Sequence, residues 1–322
     1  MNKLLYLFLI LVSIYSCTSD TQEKEQFPEI LDVNNLDKTD FVATLESKFS
    51  TSSNIIYGAT LPFAWDEIRT TIGLPLNKFT SNELDELNKT TSYEGVLDEN
   101  EYNTSVEIDG NQIRAKAFFK NSLPFERPMT RFGKPLKFGN SNVESFGFWG
   151  SSFPASINYF ISDDEFSVSL FPKNKGHEII LIMPHGNKKT MSFEEYFTRY
   201  SELSKESGYQ TFSNQDHVNI PVIEFNLDKK YSEFIGSTFS SDVTDYEVTE
   251  AYQRNAFILN EKGAEVESEA MLEVTESAEE IEEPKSMIFN RPFIVFLKKT
   301  NSEHPYFAVY IANEELLLDS ES

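Results

Sequence analysis

The sequence predicts an α+β fold built from mixed β-sheets with a minority of helices. Two runs near the carboxy terminus, Phe293 to Leu297 and Tyr306 to Ile311, are apolar on both parities, as strands covered on both faces are. Upstream, Phe166, Val168 and Leu170 alternate with Ser167 and Ser169, and EIILIMP at 178–184 returns after a PKNKG turn, the period-two pattern of a hairpin with one wet face. Helical spacing is confined to short stretches. The clearest is MSFEEYFTRYSELSK, opened by a capping box of Ser192 and Glu195.

The earlier elements follow in order. From Asp37, the positions of Phe41, Val42, Leu45 and Phe49 predict a first helix of about three turns. An apolar strand at 54–57 comes next, then a helix that Gly73 and Pro75 stop. Thr80 to Asn88 reads as another short helix, with Thr80 and Glu83 as its capping box. The segment TTSYEGVLDENEYNTSVEIDGNQIR supplies one hairpin that turns at Asp109-Gly110.

Composition bounds the partners. The chain has 322 residues, 39% hydrophobic and 14% aromatic with 28 Phe, enough for one substantial core or two small ones. Its net charge of −24 repels nucleic acid and anionic lipid headgroups, so neither is an expected partner surface. The charge suits a solubility role on an extracellular protein. At the amino terminus, Asn2-Lys3 precedes an apolar run from Leu4 to Tyr15 that is short for a mature membrane span, ending in Ile14-Tyr15-Ser16-Cys17. Cys17, the only cysteine, resembles the lipidated first residue of a bacterial lipoprotein; the alternative is an ordinary secretory signal with an incidental cysteine. The first reading makes residues 1–17 a lipoprotein signal peptide and residues 18–36, TSDTQEKEQFPEILDVNNL, a flexible polar tether. It places the protein outside the cytoplasm, held by acyl chains on the bacterial envelope, at the outer membrane or cell surface. A lipidated Cys17 leaves no disulfide.

The stretch around which the chain is organised runs from Asn260 to Phe296. It leaves an apolar strand at 256–260, passes through a glutamate-rich segment and re-enters an apolar run at Phe289, so a long loop hangs between two buried strands. Ala264, Val266, Ser268, Ala270, Leu272 and Val274 take one parity, while Glu265, Glu267, Glu269, Met271, Glu273 and Thr275 take the other. That is a strand with one buried and one wet face, written into a loop.

EKGAE, then FNRPFIVFL, then HPYFAVYIANEEL resemble the carboxy-terminal part of a serpin in order and spacing. The resemblance implies a serpin-like domain over 37–318 with a reactive-centre-like loop at 260–290. Its hinge would comprise Glu261, Gly263, Ala264, Val266, Ser268 and Ala270, and the family signature Phe289, Asn290, Arg291, Pro292 and Phe293. In serpins the loop is protease bait that inserts, once cleaved, as a central strand of the main sheet. The family's loop count puts the scissile bond among Ser277, Ala278, Glu279 and Glu280, and the acidic neighbours imply a target protease that is not trypsin-like. AKAFFKNSLPFERPM from Ala115 resembles the family's Phe-Lys-Gly-x-Trp strand, with Leu123 or its neighbour in place of the tryptophan. Val218 to Leu227 resembles another of its strands, with Ile223, Phe225 and Leu227 facing one way.

This sequence also departs from the family. The chain before residue 115 is too short for the usual helices C to F and two strands, so the fold is expected to be reduced in its amino-terminal half. Ala115 stands where serpins keep a buried Asn, Gln253 where they keep His, and Gly58-Ala59-Thr60-Leu61 where they keep Ser-Pro-x-Ser. The polar network beneath an openable sheet is therefore expected to be missing. Val266 is bulkier than the usual Ala, and three like charges two residues apart repel one another. The expected function is a serpin-like, membrane-anchored extracytoplasmic lipoprotein that is non-inhibitory or a protein-binding scaffold; the alternative is an inhibitor of serine- or cysteine-type endopeptidases acting through a 263–283 bait loop.

Enzyme chemistry is not expected, nor a cofactor. His177, His185, His217 and His304 lack metal-ligand spacing, and no nucleophile elbow, phosphate loop or dinucleotide fingerprint occurs. Asp163-Asp164-Glu165 reads as a solvated turn, and the ten glutamates between 261 and 283 lack calcium-loop spacing.

Overall fold

The computed structural model describes residues 27–320 apart from 74, 111, 120, 121, 187, 243 and 265–283. Cys17 and the signal segment lie outside the described residues, as do Val266, Ser268, Ala270 and the scissile region Ser277, Ala278, Glu279 and Glu280.

The chain begins with β1 (Leu31–Asp32), β2 (Thr39–Phe41), β3 (Phe49–Ser50), β4 (Asn54–Gly58), α1 (Thr60–Ile72) and α2 (Asn82–Lys89). A hairpin follows, β5 (Tyr102–Asp109) and β6 (Gln112–Phe119), then β7 (Leu123–Pro124), β8 (Thr130–Phe138), β9 (Ser141–Trp149), β10 (Ala155–Ser162), β11 (Glu165–Leu170) and β12 (His177–Met183). β13 (Thr190–Met191) and α3 (Phe193–Ser207) lead to β14 (His217–Pro221), β15 (Ile223–Lys230), β16 (Thr238–Ser240) and β17 (Asp245–Leu259). The last strands are β18 (Gly263–Ala264), β19 (Ser286–Ile288), β20 (Phe293–Lys299) and β21 (Phe307–Ile311).

These strands form an α+β arrangement of mixed sheets, as expected. A seven-stranded sheet in the order β10-β11-β12-β20-β21-β4-β2 is the middle layer. On one face lies α3, with Phe193 and Phe197 against Phe296 and Tyr196 stacked on Tyr310. The other face meets two further sheets: Phe138 packs on Phe293 from the four-stranded sheet β19-β14-β9-β8, and Phe257 packs on Phe307 from the six-stranded sheet. That six-stranded sheet has the order β1-β15-β17-β6-β5, with β16 also on β17. β20 is buried from Phe293 to Leu297 and β21 throughout, because both faces of the middle layer are covered.

Several expectations change. No helix forms over 37–49: Thr39–Phe41 pairs in parallel with Asn54–Ile56, and Thr44 accepts a bond from the Ser47 amide in a turn. Phe41, Leu45 and Phe49 are buried all the same, so an irregular path meets the core with the spacing a helix would have. The cap of α2 is Ser81, whose hydroxyl accepts from the Leu84 amide; Thr80 instead bonds the Thr238 backbone. The hairpin of β5 and β6 pairs Asp109 with Gln112, so Asp109 belongs to the ladder and the turn starts after it, at Gly110. The wet face expected for β11 is dry. Ser167 and Ser169 are fully buried under α3 and bonded to Asn158, an arrangement that period-two polarity cannot distinguish from solvation. Val218 to Leu227 divides at Val222 into β14 and β15, which belong to different sheets.

Residues 31–36, expected within the tether, lie on the domain. Leu31 and Asp32 pair with Leu227 and Asp228, and Val33 is buried. The class of the α1 and α3 helices follows the sequence. Gly73, with φ of 89°, caps α1, and both halves of the Ser192–Glu195 capping box are present.

Candidate functional site

The site comprises the seam between β6 and β17, residues 261–264 after β17 that the resemblance makes a hinge, and the segment where the chain returns at β19. β6 and β17 run in parallel and pair directly, from Gln112↔Glu247 to Phe119↔Asn255. Beneath this seam lies a buried polar network. Gln253 is fully buried; its Nε2 donates to the Gly58 carbonyl at 2.9 Å and to Thr60 Oγ1 at 2.8 Å, and its Oε1 accepts from Tyr231 Oη at 2.7 Å. Burial pushes the Tyr231 phenol well above its ordinary range, so it stays a donor. A Cβ on Gly58 would stand 2.9 Å from Gln253 Nε2 and 3.0 Å from the Asn255 amide group, so a larger residue there would displace these amide ends.

The expected loss of this network is thus corrected: different residues build one. The signal in the sequence was faint. Gln253 and Asn255 are polar residues at inward positions of a strand whose next inward residues are Phe257 and Leu259. The partners of Gln253 at 58 and 60 are nearly two hundred positions away.

The hinge is tied in place. The Asn260 amide donates to the Gly263 carbonyl at 3.1 Å and the Gly263 amide to the Asn260 carbonyl at 3.2 Å, closing a tight turn. Gly263 has φ of +125°, and a Cβ there would fall 2.6 Å from the Leu123 carbonyl oxygen, so only glycine fits. Gly263 and Ala264 then pair with Pro124 and Leu123. The amides of Met129 and Phe125 donate to the carbonyls of Glu261 at 2.7 Å and Lys262 at 2.9 Å. Arg131 Nη1 meets Glu261 at 2.7 Å while its Nε reaches Glu144 at 2.8 Å. Burial works against the Arg131 charge, but the two carboxylates outweigh it and hold the guanidinium above its ordinary value.

At the return, the Lys285 amide donates to Asp216 Oδ1 at 2.7 Å, and β19 joins β14 in parallel. His217 Nε2 lies 3.1 Å from Ser286 Oγ, and its ring stacks on Trp149, which is 60% exposed. Partial burial lowers the His217 pKa against the pull of Asp163 and Asp216. Of the signature residues, Phe289 and Phe293 are fully buried and touch each other, with Phe289 also on Phe166. Arg291 donates to the Asp163 carbonyl at 2.8 Å and pairs with the Asp164 carboxylate, while Asn290 is exposed. Glu165, expected in a solvated turn, is buried and paired with Arg199 at 2.5 Å.

The structure therefore brings Glu261, Gly263 and Ala264 together on β7 and its following loop and places Phe289 and Phe293 of the signature in the core, while Asn290 is exposed and Arg291 lies on the 163–164 turn. His177 lies elsewhere, buried between Tyr306 Oη and Glu101, each 3.0 Å from a ring nitrogen. Among the described residues no group of His, Cys, Asp and Glu could hold a metal ion.

No family model matches the sequence, and no curated protein matches it. Solved structures similar in fold include Serpin48 of the insect Tenebrio molitor, at 13% identity and TM-score 0.41, covering 72% of this chain and 63% of that one. A serpin from the trematode Schistosoma haematobium gives 16% identity and TM-score 0.42 over 62% and 56% of the two chains. Thyroxine-binding globulin in complex with thyroxine gives 9% and 0.43 over 79% and 65%. The chain spans less than two-thirds of the length of each.

Proposed function

We propose that the protein is a non-inhibitory, serpin-like binding scaffold, lipid-anchored through Cys17 outside the cytoplasm, that presents residues 265–283 as an acidic recognition segment. The observation that carries the reading is the closed seam beside a tied hinge. An inserting strand would have to part eight register pairs between β6 and β17. It would also have to release the backbone bonds of Glu261, Lys262 and Gly263, each worth about 1 kcal/mol net. Glu265, Glu267 and Glu269 would then lie two residues apart on one face.

The anchor has a geometric consequence. β1 runs parallel to β15, and the Pro28 carbonyl accepts from Asn226, so residues before Leu31 lie toward the Ile223 end of that strand. Ile223 pairs with Leu259, next to the hinge. The ten residue steps from Cys17 to Phe27 span at most about 36 Å. On this reading the hinge end of the domain is held near the membrane.

The test is to nick the purified protein within 265–283 with a Glu-specific protease and compare melting temperatures. A change within about 2 °C is expected, whereas a rise of about 10 °C or more overturns the reading. The second reading, inhibition of a protease that is not trypsin-like, is favoured by the Gln253 network beneath the seam. It requires a covalent complex that survives SDS when the protein is mixed with serine or cysteine proteases.

A further inference from the structure

Past the Lys230 end of β15, at the end of the six-stranded sheet away from the hinge, a groove of about 690 Å³ opens between residues 41–48 and α2. That volume is in the range of sites that enclose a ligand. Its floor is part apolar: Phe41, Val42 and Phe234 lie there beside the Tyr231 ring, among the hydroxyls of Thr44, Ser47, Thr90 and Thr91. Its rim carries Glu46, Glu83, Glu86 and Glu233. Glu83 and Glu86 are three residues apart on α2 and share a face.

The two lysines of the rim do not neutralise these carboxylates. Lys48 is taken by Glu195 at 2.5 Å and Lys89 by Asp85 at 2.5 Å, both outside the groove. Among the described residues none of the four rim glutamates is in an ion pair. Glu46 accepts from the Thr90 hydroxyl and Glu83 from that of Ser81, which leaves lone pairs on both. The groove therefore joins a part-apolar floor to an uncompensated negative rim, which complements a chain bearing cations on aliphatic stems between apolar side chains.

We propose that this groove binds a basic, partly apolar peptide segment of a partner protein, its Lys or Arg groups on Glu86 and Glu233 and its apolar side chains on Phe41 and Phe234. The proposal is independent of the loop. A bare cation would use only the rim, and a small apolar molecule only the floor.

The probe is a short fluorescent peptide alternating lysine and leucine, titrated with the full chain at about 0.15 M salt, with spermidine as competitor. Because the whole molecule is acidic, the controls must separate the groove from general attraction. Glu86→Gln with Glu233→Gln should weaken binding roughly tenfold, whereas Glu202→Gln with Glu206→Gln, on exposed positions of α3, should change it less than about twofold. Ala43→Arg, which places a cation in the groove from within, should abolish binding with the fold retained by circular dichroism. Equal weakening by the two double variants, indifference to Ala43→Arg, or displacement by spermidine at concentrations as low as unlabelled peptide would each overturn the proposal.

Discussion

Gln253 shows how one side chain can hold three parts of the molecule. It joins β17 to the end of β4 at Gly58, to the first residue of α1 at Thr60, and to Tyr231 beyond β15. Gln253→Leu keeps the volume but leaves a buried carbonyl and two buried hydroxyls without that partner. Each such group costs about 1–3 kcal/mol, and because three groups in one network add incompletely, equilibrium denaturation should show a loss of roughly 3–5 kcal/mol. A loss below about 0.5 kcal/mol would show the network to be dispensable. His177 supplies a pH dependence. Burial lowers its pKa below the ordinary 6.5, with Glu101 pulling the other way. The unfolded chain therefore takes the proton first. Stability is intact above about pH 6.5 and falls as pH drops through the lowered native value. Melting at about pH 7 and about pH 5 should show this fall, and His177→Gln should reduce it. Neither residue's partners could be read from the sequence. Tyr306 is 129 positions from His177, and Gln253 is 193 from Thr60.

At the scale of elements, local chemistry was decisive where it was complete. The Ser192–Glu195 box starts α3 where expected because both of its hydrogen bonds are satisfied within the helix's own first turn. Ser192→Ala removes the hydroxyl that accepts from the Glu195 amide and should cost about 1 kcal/mol, seen as a lower denaturation midpoint. An unchanged midpoint would mean that packing of Phe193 and Phe197 holds the helix start unaided. Where two capping residues were adjacent, the choice was tertiary. Thr80 is engaged by Thr238, so Ser81 caps α2. The 41–49 segment departs from its helical spacing for a related reason. Its apolar spacing fits a helix, but the edge of β4 offers a parallel ladder to Thr39–Phe41 that satisfies backbone groups a helix would otherwise bond internally. Of the hinge, Gly263 was legible as part of a motif; that it pairs with Leu123 and Pro124 was not, because that contact spans some 140 residues.

At the scale of the whole molecule, a net charge of −24 opposes compaction. Raising sodium chloride from about 10 mM to about 150 mM shortens the screening length to about 8 Å and should raise the melting temperature by a few degrees. A fall would mean that the ion pairs of Arg131, Arg199 and Arg291 outweigh the repulsion. The sequence by itself determined the α+β class, the buried strands at 293–297 and 306–311, the helix at 193, and the alternation of the loop after Ala264. These are properties of periodicity and local capping, carried within a few residues. Only the tertiary structure decided that the seam between β6 and β17 is closed, that the hinge is tied to β7, and that a polar network lies beneath. Those depend on which distant strands pair, and pairing is fixed by the burial of whole faces rather than by any short stretch of chain.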